Sequence, residues 1–412
     1  MRAHRVIIIL ISIILLFSIH FYVPAQVNAQ DTIKIGGVGP LSAPGGVEAG
    51  EALKAGMQLA VGHINTQGGV LGKKIELIIG DTGGLPEKGA TVAERLISSD
   101  KVIAITGEAH SSVTLAEMEV VHKYGIPFVV AEASSDTISA KQYPEVFRLT
   151  PANSQVLKVV VDWIKALKAK HVVLIAENSD WGLGLIKLFG DFLGEAKIKI
   201  DTVSAERTAV DFTPQLLKIK AMKPRPDLIL DGFTGTGEFL MIKQAYELGI
   251  APSSQTAILG LGQDILYPGF WESVKEGGIY TLGIPGGLPG VPSTAVSKKF
   301  GEDFKKAYNR EGDPVAMEGY EGIYMIVEAI KKAGNTDSKK IISALEEVKW
   351  TGPRGDVWFT KERQPNFMYH QWLDVPVFVT QYTKLNQNPS QSQILWPKRY
   401  ATTKELLLKP KK

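Results

Sequence analysis

The chain has 412 residues, 44% of them hydrophobic, a formal net charge of +3 and no cysteine. A charge balance this even argues against nucleic acid as a partner. Without cysteine there is no disulfide, no thiolate nucleophile and no lipid attachment through an N-terminal Cys, so stability must come from packing, and the size predicts two domains.

The N-terminus reads as an export signal over residues 1–29. Arg2 and Arg5 precede an apolar run from Val6 to Phe17, and Val27-Asn28-Ala29 supplies small residues at a cleavage point. Its removal takes away two basic residues and no acid, leaving +1. The run Val6 to Val23 is nearly long enough to span a bilayer, so an uncleaved anchor is the alternative. The expected location is periplasmic or cell-surface, with the rest of the chain soluble.

After the signal, Ile33 to Val38 is a strand running into the loop G-P-L-S-A-P-G-G, and Glu51 to Asn65 places Leu53, Met57, Ala60, Val61 and Ile64 on one helical face. Ile75 to Ile79 is a second strand and Glu87 to Ser98 a second helix. Strands at Val102 to Thr106 and Ile126 to Val130 bracket a helix at Ser112 to Lys123. Unbroken strand-helix alternation predicts an α/β fold with a parallel sheet wrapped on both faces.

Around Phe147 to Pro151 the pattern restarts, which marks a crossover. A second series follows: helix Val156 to Leu167, strand His171 to Ala176, helix Leu183 to Leu193, strand Ile198 to Val203, helix Phe212 to Met222, strand Leu228 to Leu230, helix Phe239 to Leu248 and strand Thr256 to Leu261. Gly278 to Gly283 reads as another crossover before a Gly/Pro linker. Helices at Ser293 to Asn309, Gly319 to Ala333 and Ser338 to Val348 should return to cover the first sheet, and the β-rich stretch Met368 to Thr383 should pack through Trp372, Phe378 and Tyr382. The predicted lobes are 30–150 plus 284–362, and 151–283 plus 363–412.

Two hydroxyl clusters, Ser111-Ser112 and Ser134-Ser135, follow adjacent strands of the first series. In a parallel sheet both emerge at one carboxyl edge, where hydroxyls and free helix N–H groups suit a ligand carboxylate. The plainer reading of either cluster alone is helix capping.

I-K-I-G-G-V-G-P-L-S-A-P-G-G, I-N-T-Q-G-G-V-L-G-K-K-I-E-L, T-G-E-A-H-S-S, Y-G-I-P-F-V-V-A-E-A-S-S, V-F-R-L-T-P and D-W-G-L-G occur in one order over nearly all of residues 32 to 400. The chain thereby resembles the type I periplasmic binding proteins, in the branched-chain amino-acid-binding branch that feeds ABC importers. That resemblance implies two Rossmann-like lobes, each a mainly parallel sheet flanked by helices, joined by three crossovers and closing on a small solute. It assigns the α-carboxylate pocket to Ser111, Ala133, Ser134 and Ser135. In the second lobe Trp181 stands where the family often has Tyr, and Phe233-Thr234 where another Tyr is usual. For a ligand ammonium the resemblance leaves Glu48, Glu108 and Asp264 as alternatives, with Gln263 beside the last. His110 caps a helix or lines the cleft. The implied partners are a small carboxylate and a membrane permease, with a monomeric receptor and no cofactor. The other use of this module is a ligand-sensing receptor; no further domain follows the lobes, which favours transport.

Other chemistries find little support. His110 adjoins Ser111, but neighbours on a loop rarely face one another and no G-x-S-x-G occurs, so no hydrolase is expected. No histidine pair has zinc-ligand spacing, G-V-L-G-K-K lacks the P-loop pattern, and Gly182-Leu183-Gly184 lacks the third glycine of a dinucleotide loop. Asp180-Trp181-Gly182 can also be read as a turn with a packing Trp.

Overall fold

The computed structural model describes residues 32–403 and 405–408, so the export-signal expectation lies outside the described residues. The first half runs β1 (Ile33–Gly39), α1 (Val47–Thr66), β2 (Ile75–Asp81), α2 (Pro86–Ser98), β3 (Ile105–Gly107), α3 (Ser111–Tyr124), β4 (Phe128–Val130), α4 (Asp136–Ala140) and β5 (Val146–Arg148). These strands form one all-parallel sheet in the order β2-β1-β3-β4-β5. The second half runs α5 (Asn153–Leu167), β6 (His171–Glu177), α6 (Asp180–Glu195), β7 (Lys199–Ala205), α7 (Thr213–Ala221), β8 (Leu228–Gly232), α8 (Thr236–Glu247), β9 (Ala257–Gly260), α9 (Gly269–Val274) and β10 (Leu282–Gly283). The chain then supplies α10 (Ala295–Tyr308), α11 (Pro314–Ala333), α12 (Ser338–Leu345), the hairpin β11 (Lys349–Gly352) and β12 (Gly355–Trp358), and finally β13 (Val379–Gln381) and β14 (Gln393–Trp396). The second sheet has the order β14-β13-β10-β9-β8-β6-β7, parallel except at β13, which is antiparallel to both neighbours.

Each sheet is buried on both faces, as continuous apolar strands such as β6 require. One face of the first sheet is covered by α1, α10, α11 and α12 through Leu53, Met57, Phe300, Phe304, Ile323 and Ile326; the other carries α2 and α3 through Leu96, Met118 and Val121. The second sheet is enclosed by α5 and α6 on one side and α7, α8 and α9 on the other. The closest helix pair is α1 with α11. A Cβ on Gly56 would sit 1.9 Å from the Ala316 carbonyl oxygen, and one on Gly319 would sit 2.3 Å from that of Leu53. Only glycine permits the two backbones to approach so closely.

The helices expected to return to the first sheet do so. Two expectations are corrected. Residues 363–375, assigned to the second lobe, lie on the first: the Trp372 N–H donates to the Arg148 carbonyl, the Arg148 N–H to that of His370, and Trp372 and Val375 join the first core. Backbone pairing beside β5 holds them there, and the third crossover comes between Val375 and Val379. The stretch 368–383, expected to be β-rich, yields only the short β13, since His370 adopts φ 54°, and the stretch 278–283, read as a crossover, holds the two-residue β10 after the 3₁₀ turn Lys275–Gly278. The hairpin β11–β12 was not anticipated. Trp372, Phe378 and Tyr382 are buried, as expected.

The crossovers meet at one buried arginine. Arg354 donates to the carbonyls of Leu149 (3.3 Å) and Gly286 (2.9 Å), on the first and second crossovers, while Glu318 and Glu321 pair with it at 2.7 Å each. Its guanidinium lies 5.1 Å from the Trp372 ring, just ahead of the third.

Candidate functional site

The carboxyl ends of both sheets face one cavity of about 250 Å³. In open parallel sheets ligands bind at these strand ends, near the point where strand order reverses, here β1/β3 and β6/β8. The first lobe contributes Ala109 to Ser112 after β3, and Glu132 and Ser134 after β4. The second contributes Glu177 to Ser179 and Trp181 around the start of α6, Arg207 after β7, Thr234 after β8 and Leu261 to Gln263 after β9. Thr150, Pro151 and Asn153 line it from the first crossover.

Local geometry explains why α3 points its start at the cavity. Gly107 has φ 126°, and a Cβ there would meet the Val38 carbonyl oxygen at 2.0 Å. Glu108 follows with φ 64°, a left-handed turn whose own carboxylate steadies it by accepting from the Ala109 and His110 N–H groups, each at 3.0 Å. The turn delivers Ser111 and Ser112 to the first turn of a 14-residue helix, where free N–H groups and the helix dipole favour an anion. The Ser111 hydroxyl accepts from the Ser135 N–H at 3.1 Å, tying the loop after β4 to the start of α3. Arg148 secures that loop from below, donating to the Ser135 carbonyl at 2.6 Å.

Across the cleft, Glu177 organises the second wall. It accepts from Ser179 Oγ (2.5 Å), from the Thr234 N–H (3.1 Å) and from Thr234 Oγ1 (2.9 Å). Burial raises its pKa; these donors pull the other way. Arg207 projects from the loop after β7 and donates to the Gly84 carbonyl of the first lobe at 3.0 Å. A second cross-lobe bond runs from the Asp180 N–H to Ser112 Oγ at 3.4 Å. His110, buried and near Arg207, has its pKa pushed down to about 3, so its ring is neutral, and Nε2 accepts from the Gly46 N–H at 3.1 Å.

Of the residues singled out in the sequence, His110, Ser111, Ser112, Ser134, Trp181, Thr234 and Gln263 come together on this cavity. Ala133 faces the first core and Phe233 the second, where it meets Phe212 edge-on at 4.7 Å. Ser135 is the N-cap of α4, accepting from the Thr137 N–H, so the capping reading applies to it. Glu48 and Asp264 line a neighbouring space of about 290 Å³ between Gly46 and Phe239. Burial pushes Asp264 up to about 8 and also raises Glu48. Glu108 is fully buried behind the α3 turn and does not reach the cavity; burial pushes it up to about 7. Glu132, Glu177, Arg207 and Asn153 were not anticipated. Glu132 did stand in plain view in A-E-A-S-S, between the two alanines that lead into the serines.

No group of three or more His, Cys, Asp or Glu among the described residues is placed to hold a metal ion, and no described helix is long and apolar enough to cross a membrane. The arrangement offers anion donors at α3, two carboxylates, a guanidinium and an apolar wall of Trp181, Val156, Leu185, Leu261 and Ile284. It is suited to holding a small polar molecule between two lobes.

Comparison with known proteins agrees with that geometry. A family model described as periplasmic binding protein matches residues 32–383. The chain is 26% identical over 340 residues to the Leu/Ile/Val-binding protein homolog 7 of Brucella abortus (strain 2308), covering 78% of this chain and 82% of that one. The branched-chain amino acid transporter substrate-binding protein LivJ from Streptococcus pneumoniae, solved in complex with isoleucine, superposes with a TM-score of 0.76 at 25% identity, over 89% of this chain and 100% of that chain. A Rhodopseudomonas palustris ABC transporter solute-binding protein, solved in complex with benzoate, superposes with a TM-score of 0.75 at 22% identity, over 88% and 95%. The family match over most of the chain and the shared two-lobed fold lead to one conclusion: the chain belongs to the type I periplasmic binding proteins.

Proposed function

We propose that this receptor captures a small carboxylate, an amino acid of the branched-chain or aromatic type, in the cavity between its lobes and holds it by hinge closure for delivery to a permease. The observation that carries the reading is that one cavity takes donors from both lobes: the start of α3 with Ser111, Ser112 and Ser134 on one side, Arg207 on the other. A ligand bridging these groups gains contacts in the closed state that neither lobe offers alone, which is what biases a hinge. The cavity of about 250 Å³ is near the lower end of pockets that take one small molecule, roughly 300 Å³.

A second reading, a non-amino aromatic acid, draws on the apolar wall beside Trp181 and on the benzoate bound by a fold neighbour. A thermal-shift screen of amino acids, oxo acids and benzoates separates the two, since a bound ligand raises the melting temperature by mass action. The expected hit is an apolar or aromatic amino acid, and solution scattering with it at saturation should give a smaller radius of gyration. Hits confined to benzoates favour the second reading, and unchanged scattering at saturation counts against closure.

A further inference from the structure

The cavity wall contains one group whose chemistry is incomplete. Glu132 follows β4 directly, and its backbone is fixed by the sheet, the Glu132 N–H donating to the Glu108 carbonyl at 3.2 Å. Its side chain lines the cavity, yet Oε2 is fully buried and no donor among the described residues reaches it. The titratable groups facing it are the carboxyls of Glu318, Asp264, Asp313 and Glu108 and the buried phenol of Tyr267, whose hydroxyl makes no hydrogen bond to it. Two of these carboxyls already have cations, since Arg354 pairs with Glu318 and Arg310 with Asp313, both at 2.7 Å. Arg207 acts instead on Glu108, His110 and Glu177. A buried acceptor with no donor is costly unless something entering the cavity supplies one.

The cavity is polarised as well. Its positive end is the start of α3, and Ser134 stands beside it; its negative end is Glu132 with the acids behind it. Glu132 and Ser134 are two residues apart in the loop that follows β4, and both line the cavity. That interval suits a solute whose anionic and cationic groups are close neighbours. We propose that Glu132 accepts a hydrogen bond from a cationic nitrogen of the ligand and thereby selects a zwitterionic amino acid over oxo, hydroxy and aromatic acids of the same shape. The proposal rests on the reading that a small carboxylate occupies this cavity. It places amine recognition on the first lobe, away from Glu48, Glu108 and Asp264. Burial beside these acids raises the Glu132 pKa well above the usual carboxylate range, and a bound ammonium pulls it back down, which releases whatever proton the free carboxyl holds.

The test is calorimetry at pH 7 with leucine and phenylalanine against 4-methyl-2-oxopentanoate, phenylpyruvate and benzoate, on the wild type, Glu132→Gln, Glu132→Asp and the double variant Ser111→Ala/Ser134→Ala. In the wild type one of the amino acids should bind at least ~100-fold more tightly than its oxo acid, the upper range for a hydrogen bond to a charged group. Glu132→Gln should reduce that ratio by roughly 10-fold or more. It should leave oxo-acid binding little changed, and Glu132→Asp, which keeps the charge, should restore part of the ratio. Buffers of different ionisation heat should show proton release with the wild type and none with Glu132→Gln. The double serine variant should weaken amino acid and oxo acid alike. An oxo acid or benzoate bound as tightly as the amino acid, or a ratio unchanged by Glu132→Gln, overturns the proposal while leaving the carboxylate reading intact. Binding indifferent to the serine variant overturns the carboxylate reading and this proposal with it.

Discussion

Arg207 is half-buried, and what it contributes depends on the cleft being shut: its bond to the Gly84 carbonyl exists only across the lobes. Arg207→Gln is therefore expected to weaken ligand binding by roughly 10–100-fold, the worth of one or two charge-assisted hydrogen bonds. The ligand-free melting temperature should hardly move, and calorimetry beside a thermal melt reads both. Arg354 behaves in the opposite way. With two carboxylates and two crossover carbonyls on one buried guanidinium, Arg354→Met strands buried charge and should cost about 3–5 kcal/mol in urea unfolding. The cavity residues that could be found from the sequence, Ser111, Ser134, Trp181 and Thr234, lie at strand ends or just inside a helix start, where spacing alone fixes position. Arg207 sits in an irregular loop and Glu132 looks like any solvent-facing acid, so neither stands out until burial and the second lobe are known. Phe233 is the reverse case, for an aromatic at a strand end is as easily a core residue, and here Phe212 claims it.

At the scale of elements, apolar periodicity located every helix of eight or more residues, because a long helix repeats its buried face several times. The elements missed or overdrawn were short: β10 has two residues, β13 three and the β11–β12 strands four each. They exist because a neighbouring strand pairs with them, a cause absent from their own residues. The α1–α11 contact gives a paired prediction on glycine. Gly319→Ala forces the backbones apart at Leu53 and should cost about 1–3 kcal/mol, as overpacking does. Gly62, on the open face of the same α1, has nothing within 4 Å, and Gly62→Ala should stabilise by about 0.5–1 kcal/mol through helix propensity. Chemical denaturation of the two variants should show shifts of opposite sign.

For the molecule as a whole, folding buries carboxylates whose pKa the interior raises. Asp264 and Glu48 come from opposite lobes and line one space; burial first, and then the Glu48 charge, raise the Asp264 pKa. Asp264, at about 8 when folded against 3.8 ordinarily, binds more protons in the native state than in the unfolded state between those values. Its contribution to stability is full below pH 3.8 and is lost as pH rises through 8. The melting temperature should therefore fall as pH is raised from about 5 to about 8, and Asp264→Asn should flatten that slope in a differential scanning series.

The order in which the lobes draw on the chain also constrains how the protein can be made. The first sheet is complete once β5 has been synthesised, but the face that receives α1 and α11 stays unfinished until residues 314–333 follow. In between, the β6 to β10 strands can assemble into a lobe of their own. A nascent chain thus carries a half-clad apolar sheet through the whole making of its second lobe, and that interval is when it is most exposed to aggregation and most dependent on a holdase.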